Sequence, residues 1–317
     1  MINRNHRSFI CGIKGKKISL KERKFLIKYK PWGIILFSRN IQTLKQTKNL
    51  TNSIKKIFRD PNYPILIDEE GGRVSRLNKF IDNSIFSGNY FGNLFHKNKS
   101  KFYEYNYVYT KQISYLLYLL GININTVPIL DIRRKKSNNV IGDRSYSSNK
   151  RIISEVGNSV IKYFHACKIA TVIKHLPGHG LSMVDSHFRL PRINKTYSYL
   201  KKNDFAVFKN KNSIFAMTGH LLFDKIDPDN CATHSKKIIK IIRNEIGFKK
   251  IIISDDISMK ALKYSVSKNT RMAFTAGCNI VLHCNGNFKE MNEVAKNSPL
   301  ISKFVVDKTS QFRKIIS

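Results

Sequence analysis

Residues 170–187 read ATVIKHLPGHGLSMVDSH. The stretch from Ala170 to His175 is nearly all apolar until it ends on Lys174 and His175. Proline and two glycines then break it, and Asp185 and His187 follow. A continuous apolar run, as opposed to an alternating one, is what a strand needs when both faces of its sheet are covered, as in parallel sheets. A turn-rich loop directly after such a run, carrying charged and hydrogen-bonding groups, sets the pattern to look for elsewhere in the chain.

The pattern recurs. SFICGI (Ser8 to Ile13), WGIILF (Trp32 to Phe37), YPILID (Tyr63 to Asp68) and ININTVPIL (Ile122 to Leu130) precede it. SIFAMTGH (Ser213 to His220), KIIISDD (Lys250 to Asp256) and CNIVLHC (Cys278 to Cys284) follow it. Helix-like segments lie between them. Ser19 to Glu22 has capping-box spacing, and further helices are expected over Thr43 to Phe58, Lys99 to Leu120, Asn149 to Lys168, Thr196 to Lys211, Ser235 to Ile246, Ser258 to Tyr264 and Ser267 to Ala276. A last helix is expected after Asn287. Eight strands alternating with helices in 317 residues predict an α/β fold, a (β/α)₈ TIM-type barrel spanning 1–317 as a single domain. A doubly wound open sheet is the alternative.

In such a barrel the functional groups sit at the carboxyl ends of the strands. Asp68 ends the third run, Asp131 the fourth, Lys174 and His175 the fifth, His220 the sixth, and Asp255 with Asp256 the seventh. Five consecutive strands thus deliver polar groups to one rim.

Composition narrows the function. Fifty-seven basic and 21 acidic residues give a formal charge of +36. That invites a nucleic-acid reading, but the basic residues are scattered along the chain without a stripe, so a lysine-rich surface explains them and no nucleic-acid partner is expected. The apolar run YLLYLLGI is too short to span a bilayer, so no membrane association is expected. Five cysteines with no CxxC spacing point to reduced thiols, Cys278 and Cys284 among them as core residues. With no sorting signal visible, a cytoplasmic location is expected.

Four motifs, IDEEGGRVSRL, GDRSY, KHLPGHG with DSH, and ISDDISM, occur in that order. Together they resemble the bacterial β-N-acetylhexosaminidases of glycoside hydrolase family 3, the cytoplasmic kind that recycles cell-wall fragments. The resemblance spans nearly the whole chain. It implies a TIM-like barrel, retaining hydrolysis of terminal β-linked N-acetylglucosamine, and neither metal nor organic cofactor. It further implies that Asp255 is the nucleophile, that His187 is the general acid/base, and that Asp185 orients His187. Asp68, Arg76, Arg144, Lys174 and His175 would bind the sugar. The implied partner is a small carbohydrate, a muropeptide-type disaccharide, taken by a monomer. Where the family usually has glutamine after the first aspartate of DEEGG, this chain has Glu69, and where it has phenylalanine in KHFPGHG this chain has Leu176.

The chemistry suits these residue types. Retaining glycosidases need a nucleophilic carboxylate and a proton donor on opposite sides of the scissile bond. A histidine, with an ordinary pKa of about 6.5, can serve as that donor near neutrality. A neighbouring aspartate can fix its tautomer, and the i, i+2 spacing of Asp185 and His187 allows this in a turned loop. Pro177, Gly178 and Gly180 predict such a loop, one that closes over the sugar.

Other readings stay open at this stage. A metal site at His175, His179, Asp185 and His187 lacks helical His spacing. His179 is expected to bond backbone within its turn. Lys174 and Arg144 could pair with Asp68 or Asp131 instead of sugar, and one of Arg73 and Arg76 is expected to be solvated. Asp256 or Ser258 is expected to cap the helix that follows. A β-glycosidase with another sugar specificity and a non-catalytic nucleic-acid binder remain the competing functions.

Overall fold

The computed structural model describes residues 2–135, 138–186 and 188–317. His187, the expected acid/base, lies outside the described residues. Eight parallel strands close into a barrel in chain order, the last pairing with the first. They are Arg7–Gly12, Pro31–Leu36, Ile65–Ile67, Ile124–Asn125, Ala170–Leu176, Phe215–Thr218, Ile251–Asp256 and Ile280–His283. This is the predicted (β/α)₈ architecture, and the open-sheet alternative falls.

The strand residues are buried because helices cover the outside and side chains fill the inside; Ala170–Leu176 is buried at every position. The amino-terminal mouth of the barrel is plugged by aromatic rings. Trp32 meets Phe215 edge-on at 5.3 Å and Phe312 at 6.4 Å, and its indole N–H donates to Thr309 at 2.9 Å. Thr309 and Phe312 belong to the helix Lys303–Ile316, which seals this end and leaves the opposite rim for a ligand.

Local signals account for most helix ends. Ser19 and Glu22 cap the helix Leu20–Tyr29 reciprocally. The helix Lys99–Leu120 starts on the Asn98 side chain and stops at Gly121, whose φ of 74° is the left-handed cap that glycine tolerates.

Elsewhere the structure differs from expectation. Residues 258–264 form successive turns in place of a helix. The Asn269 side chain takes the carbonyls of Ile257 and Tyr264, and the Asp256 carboxylate takes the Ser258 N–H and hydroxyl; no helical ladder is needed to satisfy this backbone. The helix expected over 196–211 ends at Lys202 and gives way to a 3₁₀ turn at Ala206–Phe208. The helix after Asn287 is two helices, Phe288–Asn297 and Lys303–Ile316.

The fourth strand is reduced to Ile124–Asn125, because Pro128 has no N–H to give a ladder. Backbone pairing resumes where Leu130 donates to Lys174 at 2.8 Å. A helix at Gly88–Lys97 went unread. It packs so closely that a Cβ on Gly92 would lie 1.5 Å from the Tyr146 carbonyl oxygen. A short parallel pair, Arg192–Ile193 with Leu222–Phe223, lies outside the barrel. The cysteines described are all free thiols. No helix among the described residues is long and apolar enough to cross a membrane.

Candidate active site

The carboxyl ends of the strands surround a cavity of about 260 Å³. It is lined by Asp68, Arg76, Arg144, Lys174, His175, Asp185 and Asp255, so every described residue expected at the site reaches one cavity. The size suits one small polar ligand; drug-sized pockets run from roughly 300 Å³ upward.

The wall from the third to the fifth strand is an ion network. The Lys174 ammonium donates to Asp68, to Thr126 at 3.1 Å and to Glu70 at 2.6 Å. Arg76 reaches the other oxygen of Asp68 at 3.1 Å, and the Thr126 hydroxyl donates to Asp68 at 2.5 Å. Arg144 grips Glu70 with two parallel hydrogen bonds of 2.6 and 2.8 Å. The pairing reading for Lys174 therefore holds for Asp68, whereas the partner of Arg144 is Glu70, not Asp68 or Asp131.

Burial alone would raise the carboxyl groups of Asp68 and Glu70. The Lys174 and Arg76 charges outweigh it at Asp68, and the Arg144 and Lys174 charges at Glu70, holding both below the ordinary range. Sequence reading missed Glu70, although a signal was present. In extended chain, alternate residues share a side: Asp68 and Glu70 both meet Lys174. Glu69 turns the other way, accepting the N–H groups of Arg76 at 2.5 Å and Leu77 at 3.0 Å. Arg73 is the solvated arginine, paired with Asp143 at 2.7 Å with its side chain 44% exposed.

Asp131 is fully buried and organises two histidines. One oxygen accepts from His175 Nδ1 at 2.7 Å and the other from the His179 backbone N–H at 2.6 Å. Burial would raise its carboxyl, but the His175 contacts keep it lowered and ionised. An ionised carboxylate can only accept, so His175 carries its proton on Nδ1 and leaves Nε2 available to a ligand.

Asp255 ends the seventh strand and lines the cavity. The Asp256 backbone N–H donates to it at 2.8 Å. Burial pushes the Asp255 carboxyl up, yet the nearby charges of His220, His175 and Lys174 pull it below its ordinary value. His220, matched only loosely at the sequence level, is fully buried. It donates from Nε2 to the Asp256 carbonyl at 2.9 Å and bonds Thr233 through Nδ1 at 2.8 Å. It thereby fixes the strand end that carries Asp255. The Asp256 carboxylate is engaged by Ser258 and by the Cys284 N–H at 3.3 Å; it caps a turn, not the expected helix. Cys284, expected in the core, lines the cavity.

The loop after the fifth strand is packed more tightly than its glycines suggest. Leu176 through Gly180 are buried, and a Cβ at Gly180 would lie 2.1 Å from the Ile132 carbonyl oxygen. The His179 ring bonds the Ser186 hydroxyl at 3.2 Å, where a backbone partner was expected. Among the described residues no group of three or more His, Cys, Asp or Glu side chains is gathered to hold a metal.

Comparison with known proteins places this geometry. Residues 7–313 match the family described as "Glycosyl hydrolase family 3 N terminal domain". The chain is 30% identical over 262 residues to a β-hexosaminidase of Nitrosomonas eutropha, covering 80% of this chain and 73% of that one. It is 31% identical over 287 residues to a β-hexosaminidase of Neisseria meningitidis, covering 87% and 77%. The structure of NagZ from Neisseria gonorrhoeae in complex with N-trifluoroacetyl-D-glucosamine superposes with a TM-score of 0.87 at 26% identity, over 98% of this chain and 91% of that one. A family 3 β-N-acetylglucosaminidase from Paenibacillus gives the same TM-score and identity, but this chain spans 62% of its length. With the family match running from residue 7 to residue 313 and the fold superposing over 98% of the chain, the chain belongs to glycosyl hydrolase family 3 and is a glycoside hydrolase.

Proposed function

We propose that the chain is a retaining exo-β-N-acetylglucosaminidase that removes terminal non-reducing N-acetylglucosamine from peptidoglycan-derived fragments, working as a single catalytic barrel and a monomer in cytoplasmic cell-wall recycling. The observation that carries the reading is Asp255, an ionised carboxylate at the wall of a cavity sized for one sugar. The names of the relatives, β-hexosaminidases and a NagZ seen with an N-acylated glucosamine, support the sugar class.

In this mechanism Asp68, Arg76, Lys174, Arg144 and His175 hold the sugar hydroxyls by charge-assisted hydrogen bonds. Asp255 attacks the anomeric carbon as the bond to the leaving oxygen breaks. His187, oriented by Asp185, gives that oxygen its proton. The glycosyl-aspartate is then hydrolysed by a water whose proton returns to His187, restoring both groups with retention at the anomeric carbon.

The experiment is release of nitrophenol from the β-N-acetylglucosaminide and from the β-glucoside. Turnover of the first and not the second is expected; a preference for the glucoside would replace this reading with the other sugar specificity. In the same assay His187→Ala is expected to lose more activity on alkyl than on nitrophenyl N-acetylglucosaminides, by on the order of 10²-fold. Equal losses would remove the acid role.

A further inference from the structure

We infer that His179 is a positioning residue whose imidazole, hydrogen-bonded to the Ser186 hydroxyl, latches the loop carrying Asp185 and His187 over the cavity. The inference rests on the glycosidase reading above. It assigns a task to a histidine that the mechanism does not otherwise use.

The post of the latch is held by contacts on several sides. The backbone N–H of His179 is held by the buried Asp131 carboxylate at 2.6 Å, the same group that holds His175 at 2.7 Å. The two imidazoles pack edge to face, with ring centroids 5.5 Å apart. On the next residue, the backbone of Gly180 is pressed against Ile132 so closely that no side chain fits. His179 is 2% exposed.

The strap is different. Met183 and Phe188 are 62% and 68% exposed, yet Ser186 between them is 3% exposed. The imidazole Nε2 lies 3.2 Å from the Ser186 hydroxyl oxygen. Among the described residues Nδ1 of the same ring is buried with no hydrogen-bond partner. The whole polar capacity of this buried ring is therefore spent on one serine. Burial drives the His179 pKa down to about 4, so near neutrality the latch joins two uncharged groups.

The consequence follows from chain connectivity. Adjacent Cα atoms are about 3.8 Å apart, and Ser186 sits between Asp185 and His187 in sequence. Pinning Ser186 fixes the backbone point next to Asp185, which lines the cavity, and next to position 187 in the sequence. His179, Asp185 and Ser186 line that cavity together. Proton donation depends on sub-ångström placement of the donor, so a loop released from its post donates poorly.

The test uses the full chain with Ser186→Ala, Ser186→Thr and His179→Gln. Ser186→Ala is expected to lose at least ~10-fold in kcat/KM on an alkyl N-acetylglucosaminide, where the leaving group needs its proton, and distinctly less on the nitrophenyl compound. His179→Gln should behave likewise. Ser186→Thr, which keeps the hydroxyl, should restore the alkyl rate. Equal losses on both substrates, or no loss on either, overturn the latch. Amide hydrogen exchange over residues 182–189 provides a readout independent of turnover. It is expected to speed up in Ser186→Ala and to return toward wild type in Ser186→Thr; unchanged exchange overturns the latch even if the enzyme is active. A wild-type chain that turns over neither substrate, with exchange behaving as expected, removes the glycosidase reading and leaves the latch as a purely structural contact, so the two failures are told apart.

Discussion

On the wall built from the third to the fifth strands, two carboxylates, Asp68 and Glu70, pair with three cations, Lys174, Arg76 and Arg144, within direct hydrogen-bond contact. At the end of the seventh strand, Asp255 has a backbone N–H at 2.8 Å and no ion pair among the described residues. Both regions keep carboxylates ionised, by different means. On the first wall every charge already has a partner, which makes a rigid polar surface suited to gripping hydroxyls. At the second, the nearby cationic and histidine groups lower the pKa without bonding to the carboxylate, so its oxygen is not tied up in an ion pair. A binding surface and a reacting group thus come from the same residue types placed at different distances.

Asp255→Ala breaks the comparison at its reactive side, and the largest effect is expected there. kcat should fall by about 10⁴-fold or more, while the urea midpoint of unfolding barely moves, since no ion pair is lost. A variant retaining wild-type turnover would move the nucleophile elsewhere.

The opposite wall should respond in the other currency. Glu70→Ala leaves Arg144 and Lys174 buried with one carboxylate too few, and removing one partner of a buried charge network costs about 3–5 kcal/mol. Urea unfolding would register this as a lowered midpoint, with activity falling because Arg144 and Lys174 lose their seats. A Glu70→Ala protein as stable as wild type would mean the network is not what holds this wall.

A third effect is expected on acidification. Burial lowers His165, His179 and His234 to about 4 in the folded chain, against about 6.5 when unfolded. The unfolded chain therefore binds more protons between these values, and stability falls as pH drops from 6.5 toward 4. Thermal unfolding across that range should show Tm declining. His165→Gln and His234→Gln, which lie away from the cavity lining, should flatten the slope. A flat wild-type profile would show that these rings are not protonated on unfolding.

What could be read from the chain followed its range of action. The apolar runs, the Ser19–Glu22 capping box, and the start and stop of Lys99–Leu120 depend on neighbours a few residues away, so sequence alone determined the barrel and the rim positions of Asp68, Lys174, His175 and Asp255. The shortened fourth strand follows from Pro128, which the sequence shows, whereas the turns at 258–264 depend on the Asn269 side chain meeting the carbonyls of Ile257 and Tyr264, a contact that periodicity does not reveal. The same holds for the site. Lys174 and Asp68 are 106 residues apart in sequence, and Arg144 and Glu70 are 74 apart. Which carboxylate each cation meets, which histidines share Asp131 and why Ser186 is buried are decided by barrel closure, because hydrogen bonds and ion pairs act over about 3 Å of space whatever the separation along the chain.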